Sequence, residues 1–417
     1  MSSDLQRQIV IIGGGIVGCT TAYYLCAHPA FAATRTKVTL IEASVHGAAQ
    51  GASGKAGGLV AKWAYPKELV NVSFAEHVRL AQEHNGAQRW GWRFVGCGSW
   101  EGRGELAPDE GTGTGVGKGG DWRSLEKTNG LDDGWNARKR REAGLPDDLD
   151  WVRADLTDGY SPMAPTGATA QVHPYLFTTS MLALAQEKGC EFVRGKVTSI
   201  EIDQAAGQVS GVTYTTSAAD GSSHTLPATH VVLAAGVWSP RILPSLPISG
   251  TRAHSVTIHP QPGVAISPYV LFTEILFPSA GRHGPQRVSP EIYARPDSEV
   301  YACGPGDNSA VPETVDDVEV DQAACESIRE HVASISPELR EGTVHKRQAC
   351  FLPVVSAGGG PIAGEATSIA KGLVIATGHT CWGICNAPGT AKAISELIME
   401  GKIKCADLKR LQPSVFL

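Results

Sequence analysis

The sequence predicts an α/β fold in which a parallel sheet bearing a nucleotide-binding turn is interrupted by a second, mixed α+β domain. Three observations predict it. The apolar run Ile9–Ile12 leads directly into Gly13-Gly14-Gly15-Ile16-Val17-Gly18 and a helical pattern over Val17–Ala27. A second apolar run, Val38–Ile41, ends on the acid Glu42. Far downstream, Leu373–Thr377, a glycine turn and the helical Gly389–Glu400 close the chain. Short apolar runs bounded by glycine turns read as strands buried on both faces.

The first unit is of the Rossmann type. In the spacing G-x-G-x-x-G, Gly13 permits the tight turn, Gly15 lets backbone approach a pyrophosphate, and Gly18 lets helix pack closely on strand. Phosphates then meet the N–H groups of Ile16 and Val17 at the positive end of the helix. Glu42, with Ala43 beside it, stands where a carboxylate takes ribose hydroxyls.

These elements suit NAD and FAD equally, and two further stretches select FAD. Gly51-Ala52-Ser53-Gly54-Lys55-Ala56-Gly57-Gly58 is small enough to lie against a pyrophosphate and ribityl chain, with Ser53 and Lys55 as donors. Ala376-Thr377-Gly378-His379-Thr380-Cys381-Trp382-Gly383 opens onto Asn386-Ala387-Pro388-Gly389-Thr390, a second helix start whose N–H groups suit the electron-rich end of a flavin.

Between these stretches, helices are predicted over Leu69–Asn85, His173–Lys188 and Asp321–Ser334. A hairpin is predicted over Val193–Ile202 and Gln208–Tyr214, a buried strand over His230–Ala235, and β-type structure over Glu291–Cys303. Residues 96–134, rich in Gly, Trp and charge, read as an exposed, flexible insertion. The expected division gives the FAD-binding domain residues 1–90, 168–245 and 345–417. The substrate domain takes 91–167 and 246–344.

The 417 residues are 42% hydrophobic and 19% charged, values of a globular protein with more than one core. A formal charge of -6 offers no broad basic surface, so nucleic acid is not expected as a partner. No apolar run reaches the roughly 18 residues of a membrane span, and no secretory or retention signal is read at the termini. Ten cysteines without such a signal are expected to be thiols, and the expected compartment is the cytoplasm.

Glu42 with Gly-Ala-Ser-Gly after it, Val231–Gly236 with Trp238, Gly378-His379, and Ala387-Pro388-Gly389-Thr390 together resemble the D-amino-acid oxidase superfamily of FAD-dependent oxidoreductases. That group includes sarcosine, glycine and fructosyl-amino-acid oxidases. Gly54-Lys55-Ala56-Gly57-Gly58-Leu59 and Gly378-His379-x-x-Trp382-Gly383 are most similar to a fungal branch of it. The resemblance runs from Ile9 to about Gly401, with 96–134 outside it. It implies a GR2-like FAD-binding domain and oxidation of a C–N bond in a small amine, amino acid or modified amino acid.

Carried over by position, it also implies that Glu42 binds the adenosine ribose, with Ser53 and Lys55 near pyrophosphate or ribityl oxygens. Val197 pairs its backbone with adenine or is simply a hairpin residue. Ala235 and Gly236 run beside the cofactor, and Gly378, His379, Trp382 and Gly383 lie near the isoalloxazine. Cys350 stands where sarcosine-oxidase-like members attach the flavin through a thioether; the other reading is an inert buried thiol.

The same members place a lysine over the flavin to help oxygen react, yet no lysine occurs between Lys196 and Lys346. Lys55 and Lys62 are the early candidates, and the electron acceptor is left open between oxygen and another oxidant. Arg295 has two readings, a bidentate carboxylate anchor or a structural partner of Asp297 or Glu299. Tyr293 and Trp63 are candidate pocket walls, and His379 is the candidate polar group beside the ring. His254 and His259 read as structural. Cys381 and Cys385 lack two further spaced ligands, so no metal is expected. Two alternatives stand beside amine oxidation. One is an NAD(P)H-dependent flavin monooxygenase, which normally carries Gly-Asp where this chain has Gly-His. The other is a low-turnover flavoprotein with a binding or trafficking role.

Overall fold

The central sheet places Ile362–Glu365, Leu373–Thr377, His230–Leu233, Arg7–Ile12, Thr36–Glu42 and Glu191–Arg194 side by side, parallel throughout except at its first strand. The computed structural model describes residues 7–106, 138–216, 222–278 and 284–417. Helices Ile16–Cys26, Pro174–Glu187 and Gly383–Glu400 pack together on one face, around Tyr23, Leu25, Phe177 and Ile394. On the other face lies the hairpin Lys196–Asp203 and Gln208–Thr215, extended by Ser223–Pro227, around Val197, Val212 and Leu233. Val193 and Arg194 were expected within that hairpin but belong to the strand Glu191–Arg194. That strand instead extends the central sheet, because Phe192 and Val193 pair with Leu40 and Ile41.

A second, larger sheet orders Thr343–Val355, Ile248–His259, Val300–Asp307, Glu291–Ala294, Tyr269–Phe277, Gly96–Arg103 and Thr157–Pro162. Helix Gln322–Ala333 covers it through Cys325, Ile328 and Val332. The continuous β segment expected over 291–303 is broken by a 3-10 turn at Pro296–Ser298, since Pro296 cannot donate to a ladder. Strand Thr343–Val355 pairs along its whole length with Ile248–His259. It therefore overruns the expected domain boundary at 344 and carries one polypeptide wall from the second sheet to the cofactor side.

The expected insertion over 96–134 begins with this sheet. Gly96–Arg103 is a strand, parallel to Tyr269–Phe277, with Trp100 fully buried and its Nε1 donating to Thr157 Oγ1 at 3.0 Å. Glycine weakens the strand signal, which is why the segment reads as a loop. Here bare backbone admits aromatic rings: a Cβ on Gly98 would stand 2.2 Å from Tyr160. Residues 107–134 of the expected insertion lie outside the described residues.

The closing helix starts at Gly383, six residues earlier than expected, and contains Pro388. Proline cannot donate to the carbonyl of Ile384, four residues back. His77 supplies the missing partner, with Nε2 3.0 Å from Ile384 O and 3.1 Å from Cys385 O. Burial pushes the His77 pKa down to about 4, which keeps the ring neutral at neutral pH. All ten cysteines are free thiols. Among the described residues, no helix is long and apolar enough to cross a membrane.

Candidate active site

The glycine turn is built as its spacing predicts. Gly13 has φ +108°, and a Cβ there would lie 2.5 Å from Ala234 O. Gly15 is different, since the nearest atom to a Cβ would be Ser53 Oγ at 3.1 Å. Its bare side is thus left to a ligand. Ile16 N donates to Ser53 Oγ at 2.8 Å, tying the second glycine loop to the start of the first helix. Glu42 accepts from Gly14 N at 2.6 Å and Ser44 N at 2.7 Å. Burial raises its carboxyl pKa, and the two N–H donors oppose that rise by favouring the carboxylate.

These groups open on a cavity of about 370 Å³. Gly13, Gly15, Ile16, Val17, Glu42, Ala43, Ser53, Lys55 and Gly57 line it from the first unit. Val197, Ala235, Gly236 and Trp238 line it from the middle of the chain, and Gly378, His379 and Gly383 from the end. The expected set thus converges from segments more than 300 residues apart, and the glycine cradle with its helix N-termini fits a dinucleotide. Strand–turn–helix geometry accounts for it: parallel strands end on one edge, where their loops meet.

Several expected residues are not in the wall. Gly18, Gly54 and Gly58 serve packing, since a Cβ would meet Gly13 O, Ala49 O and Val172 O at 1.9, 2.0 and 2.0 Å. Trp382 and Trp63 stack edge-to-face at 5.8 Å behind the wall, and Trp63 Nε1 donates to Thr169 Oγ1. Lys62 lies over Phe74 instead. Arg295 is buried in an ion pair with Glu299 at 2.8 Å, donates to Ala56 O, and stacks on Tyr301. The carboxylate-anchor reading of Arg295 therefore gives way to the structural one, with Glu299 and not Asp297 as partner.

Tyr293 does line the cavity, packed where Gly57 leaves room: a Cβ on Gly57 would lie 2.8 Å from its ring. Its hydroxyl donates to Glu291, whose carboxylate also faces the cavity and takes the Cys303 thiol at 3.8 Å. Glu291, Tyr301 and Cys303 were not expected. Strand alternation carries the missed signal, since Glu291 and Tyr293 share a face and Cys303 is the cross-strand partner of Glu291. Nothing local marked Glu313–Val315, which also line the cavity, with Glu313 paired to Lys196 and Arg241.

His379 is buried with Nε2 3.0 Å from Thr390 Oγ1, not bonded to a backbone carbonyl. Burial lowers its pKa to about 4, so it adds no positive charge at neutral pH. Lys55 donates to Ala349 O at 3.0 Å, and burial lowers its ammonium pKa. Cys350 lies in the wall beside it; burial pushes the thiol up to about 11, with Lys55 opposing. Cys381 lines the cavity, whereas Cys385 turns away to Ala61, so the two do not face one ion.

A glycine-cradled cavity at the edge of a largely parallel sheet, closed by a second, mixed sheet, defines a dinucleotide-dependent oxidoreductase class. The chain belongs to the FAD dependent oxidoreductase (DAO) family, whose model matches residues 8–397, and FAD is its cofactor. It is 33% identical to "Putative oxidoreductase TDA3" of Saccharomyces cerevisiae, over 100% of this chain and 96% of the relative. It is 31% identical to "Putative oxidoreductase C1F5.03c" of Schizosaccharomyces pombe, over 98% of both chains. The fold is similar to that of iminodiacetate oxidase from Chelativorans sp. BNC1. That match has a TM-score of 0.68 at 22% identity, covering 97% of this chain and 98% of the other.

Proposed function

We propose that this protein oxidises a C–N bond in a small amine, amino acid or modified amino acid, and that Glu291 selects donors bearing a positively charged or N–H-rich group. Bound FAD supplies the two-electron acceptor. In the substrate, the C–H bond next to nitrogen breaks with its electron pair, the nitrogen lone pair forms C=N, and water later hydrolyses the product. The single observation that supports this is a carboxylate in the cavity wall, held by Tyr293 and Cys303, that forms no ion pair among the described residues. An unpaired acid facing a partly enclosed cavity is stabilised by a cationic ligand. Tyr293 keeps its proton at any ordinary pH, because burial and the adjacent Glu291 raise its pKa, so it remains a donor that fixes the Glu291 carboxylate. The neutral His379 adds no competing cation. That the similar fold of iminodiacetate oxidase serves an amine substrate agrees with this reading.

Anaerobic mixing with a panel of amines and amino acids tests it. Flavin absorbance is expected to bleach with at least one member, and Glu291→Gln is expected to lower kcat/KM for it by about 10- to 100-fold, the value of one charged hydrogen bond. Absence of bleaching with every amine overturns the reaction. Bleaching that Glu291→Gln leaves unchanged overturns only the role of Glu291.

The same cavity bears on how the flavin is held. The thiolate is the nucleophile in thioether formation, and a thiol raised to about 11 supplies little of it. Acid precipitation is therefore expected to release FAD into the supernatant, leaving a colourless pellet. A yellow pellet that Cys350→Ala abolishes would establish the covalent link instead.

A further inference from the structure

Away from the cofactor cavity, on the far side of Arg295, three potential ligands from two strands and a turn meet. His259 ends its strand, and because Ile258 pairs with Val300, Glu299 lies next to it at the end of the turn that leads into the neighbouring strand. On the other side Ile258 pairs with Val344 and Thr257 with Lys346, so His345 is the extra residue of a bulge. Bulges re-aim side chains. This one leaves the His345 ring 5.1 Å from that of His259 and its Nδ1 3.8 Å from Glu299 Oε1. One donor atom from each of the three residues lies within 4.8 Å of the other two.

The carboxylate is already oriented. Arg295 Nη1 holds Glu299 Oε2 at 2.8 Å and His173 Nε2 stands 3.7 Å from the same oxygen, which leaves Oε1 facing the two histidines. His173 Nδ1 accepts from Leu176 N, so its neutral ring carries the proton on Nε2, directed at the carboxylate. An oriented carboxylate with outer-shell hydrogen bonds is how proteins prepare a metal ligand.

We propose that His259, His345 and Glu299 bind one divalent transition-metal ion of the zinc class, with Arg295 and His173 as outer-shell partners of the carboxylate. Two imidazoles and a carboxylate are the donor set such an ion prefers, with water in the fourth position. Ligands of a tetrahedral ion stand about 3.3 Å apart. Closure from 4.8 Å thus asks for about 1.5 Å of movement, which the half-exposed His345 supplies by rotating its ring. The ion would tie two strands of the large sheet to the turn before a third, behind Arg295, which stacks on the cavity residue Tyr301. No spacing motif flags the site, since its ligands are scattered over residues 259–345.

Chelator-treated, FAD-loaded enzyme titrated calorimetrically with Zn²⁺ tests the assignment. One equivalent is expected to bind, and His345→Ala and His259→Ala are each expected to weaken binding at least about 10-fold, as loss of even an outer-shell partner costs 10- to 100-fold. The zinc absorption edge of the wild type, which needs no variant, is expected to show nitrogen and oxygen neighbours near 2.0 Å. No saturable binding, binding unchanged in both variants, or sulfur neighbours near 2.3 Å would each overturn it.

Discussion

Gly18→Val is expected to yield a chain that retains no FAD and unfolds well below the wild-type denaturant midpoint. Gly18 lies in the first turn of helix Ile16–Cys26, directly over the glycine turn. A Cβ there would stand 1.9 Å from Gly13 O and 3.4 Å from Ile11 Cγ2. No rotamer relieves a clash at Cβ, so helix or turn must move by an ångström or more. The turn has little freedom to do so. Gly13 sits at φ +108°, and a Cβ on it would strike Ala234 O, so the adjoining strand hems the turn in. The helix is buried on every side, and moving it disturbs its packing on Pro174–Glu187 and Gly383–Glu400 as well. Gly18→Ala alone is expected to cost about 3 kcal/mol, the upper range for overpacking, and Val more. The ratio of flavin to protein absorbance and the urea midpoint measure the two effects. Stoichiometric FAD in Gly18→Ala with an unshifted midpoint would refute the account.

The second large effect is a loss of stability on mild acidification. Burial pushes His77 and His379 down to about 4, against a value near 6.5 in the unfolded chain. Between those values the unfolded state binds more protons than the folded state, so stability falls as pH falls through that window. Each fully buried histidine contributes a slope that approaches about 1.4 kcal/mol per pH unit below 6.5, so the pair removes on the order of 3 kcal/mol between pH 6.5 and 5. His173 is also lowered to about 4, by burial and then by Arg295, but its partial exposure weakens its share. The raised carboxyl of Glu42 acts in the opposite sense, since its folded state holds a proton more firmly. Urea midpoints at pH 7, 6 and 5 are expected to fall steadily, and His379→Gln to flatten the slope by about one proton. A midpoint independent of pH over that range would exclude neutral buried histidines.

His77 also shows why part of the architecture was hidden from sequence. A proline inside a helical pattern reads as a boundary, so the closing helix was expected to begin near Gly389. The helix spans Pro388 because a histidine from a distant helix covers the carbonyl that proline leaves bare. The opposite error arose at Gly96–Arg103, where glycines signalled a loop. Tertiary contacts with Tyr160 and Tyr269 make the same glycines the only residues that fit a strand. Local propensity is a weak prior, and contacts across the fold overrode it in both places.

Much of the cofactor side was legible because its constraints are local. A strand, three glycines at fixed spacing and an acid at the end of the next strand specify backbone geometry within about thirty residues, and Gly13, Gly15 and Glu42 stand where that spacing puts them. The family and its FAD followed from such signatures in order. The reacting side was faint because its wall is assembled by sheet pairing. Arg295 stood open between substrate anchor and structural partner until its buried pairing with Glu299 was visible. Glu291 acquired significance only when cross-strand neighbours set it against Tyr293 and Cys303 inside the cavity. The sequence by itself thus determined which cofactor the chain holds, since nearest neighbours along the chain encode that cradle. Which charges face the reacting centre was decided only by tertiary structure, since burial and pairing between distant strands determine whether a side chain is a partner or a ligand.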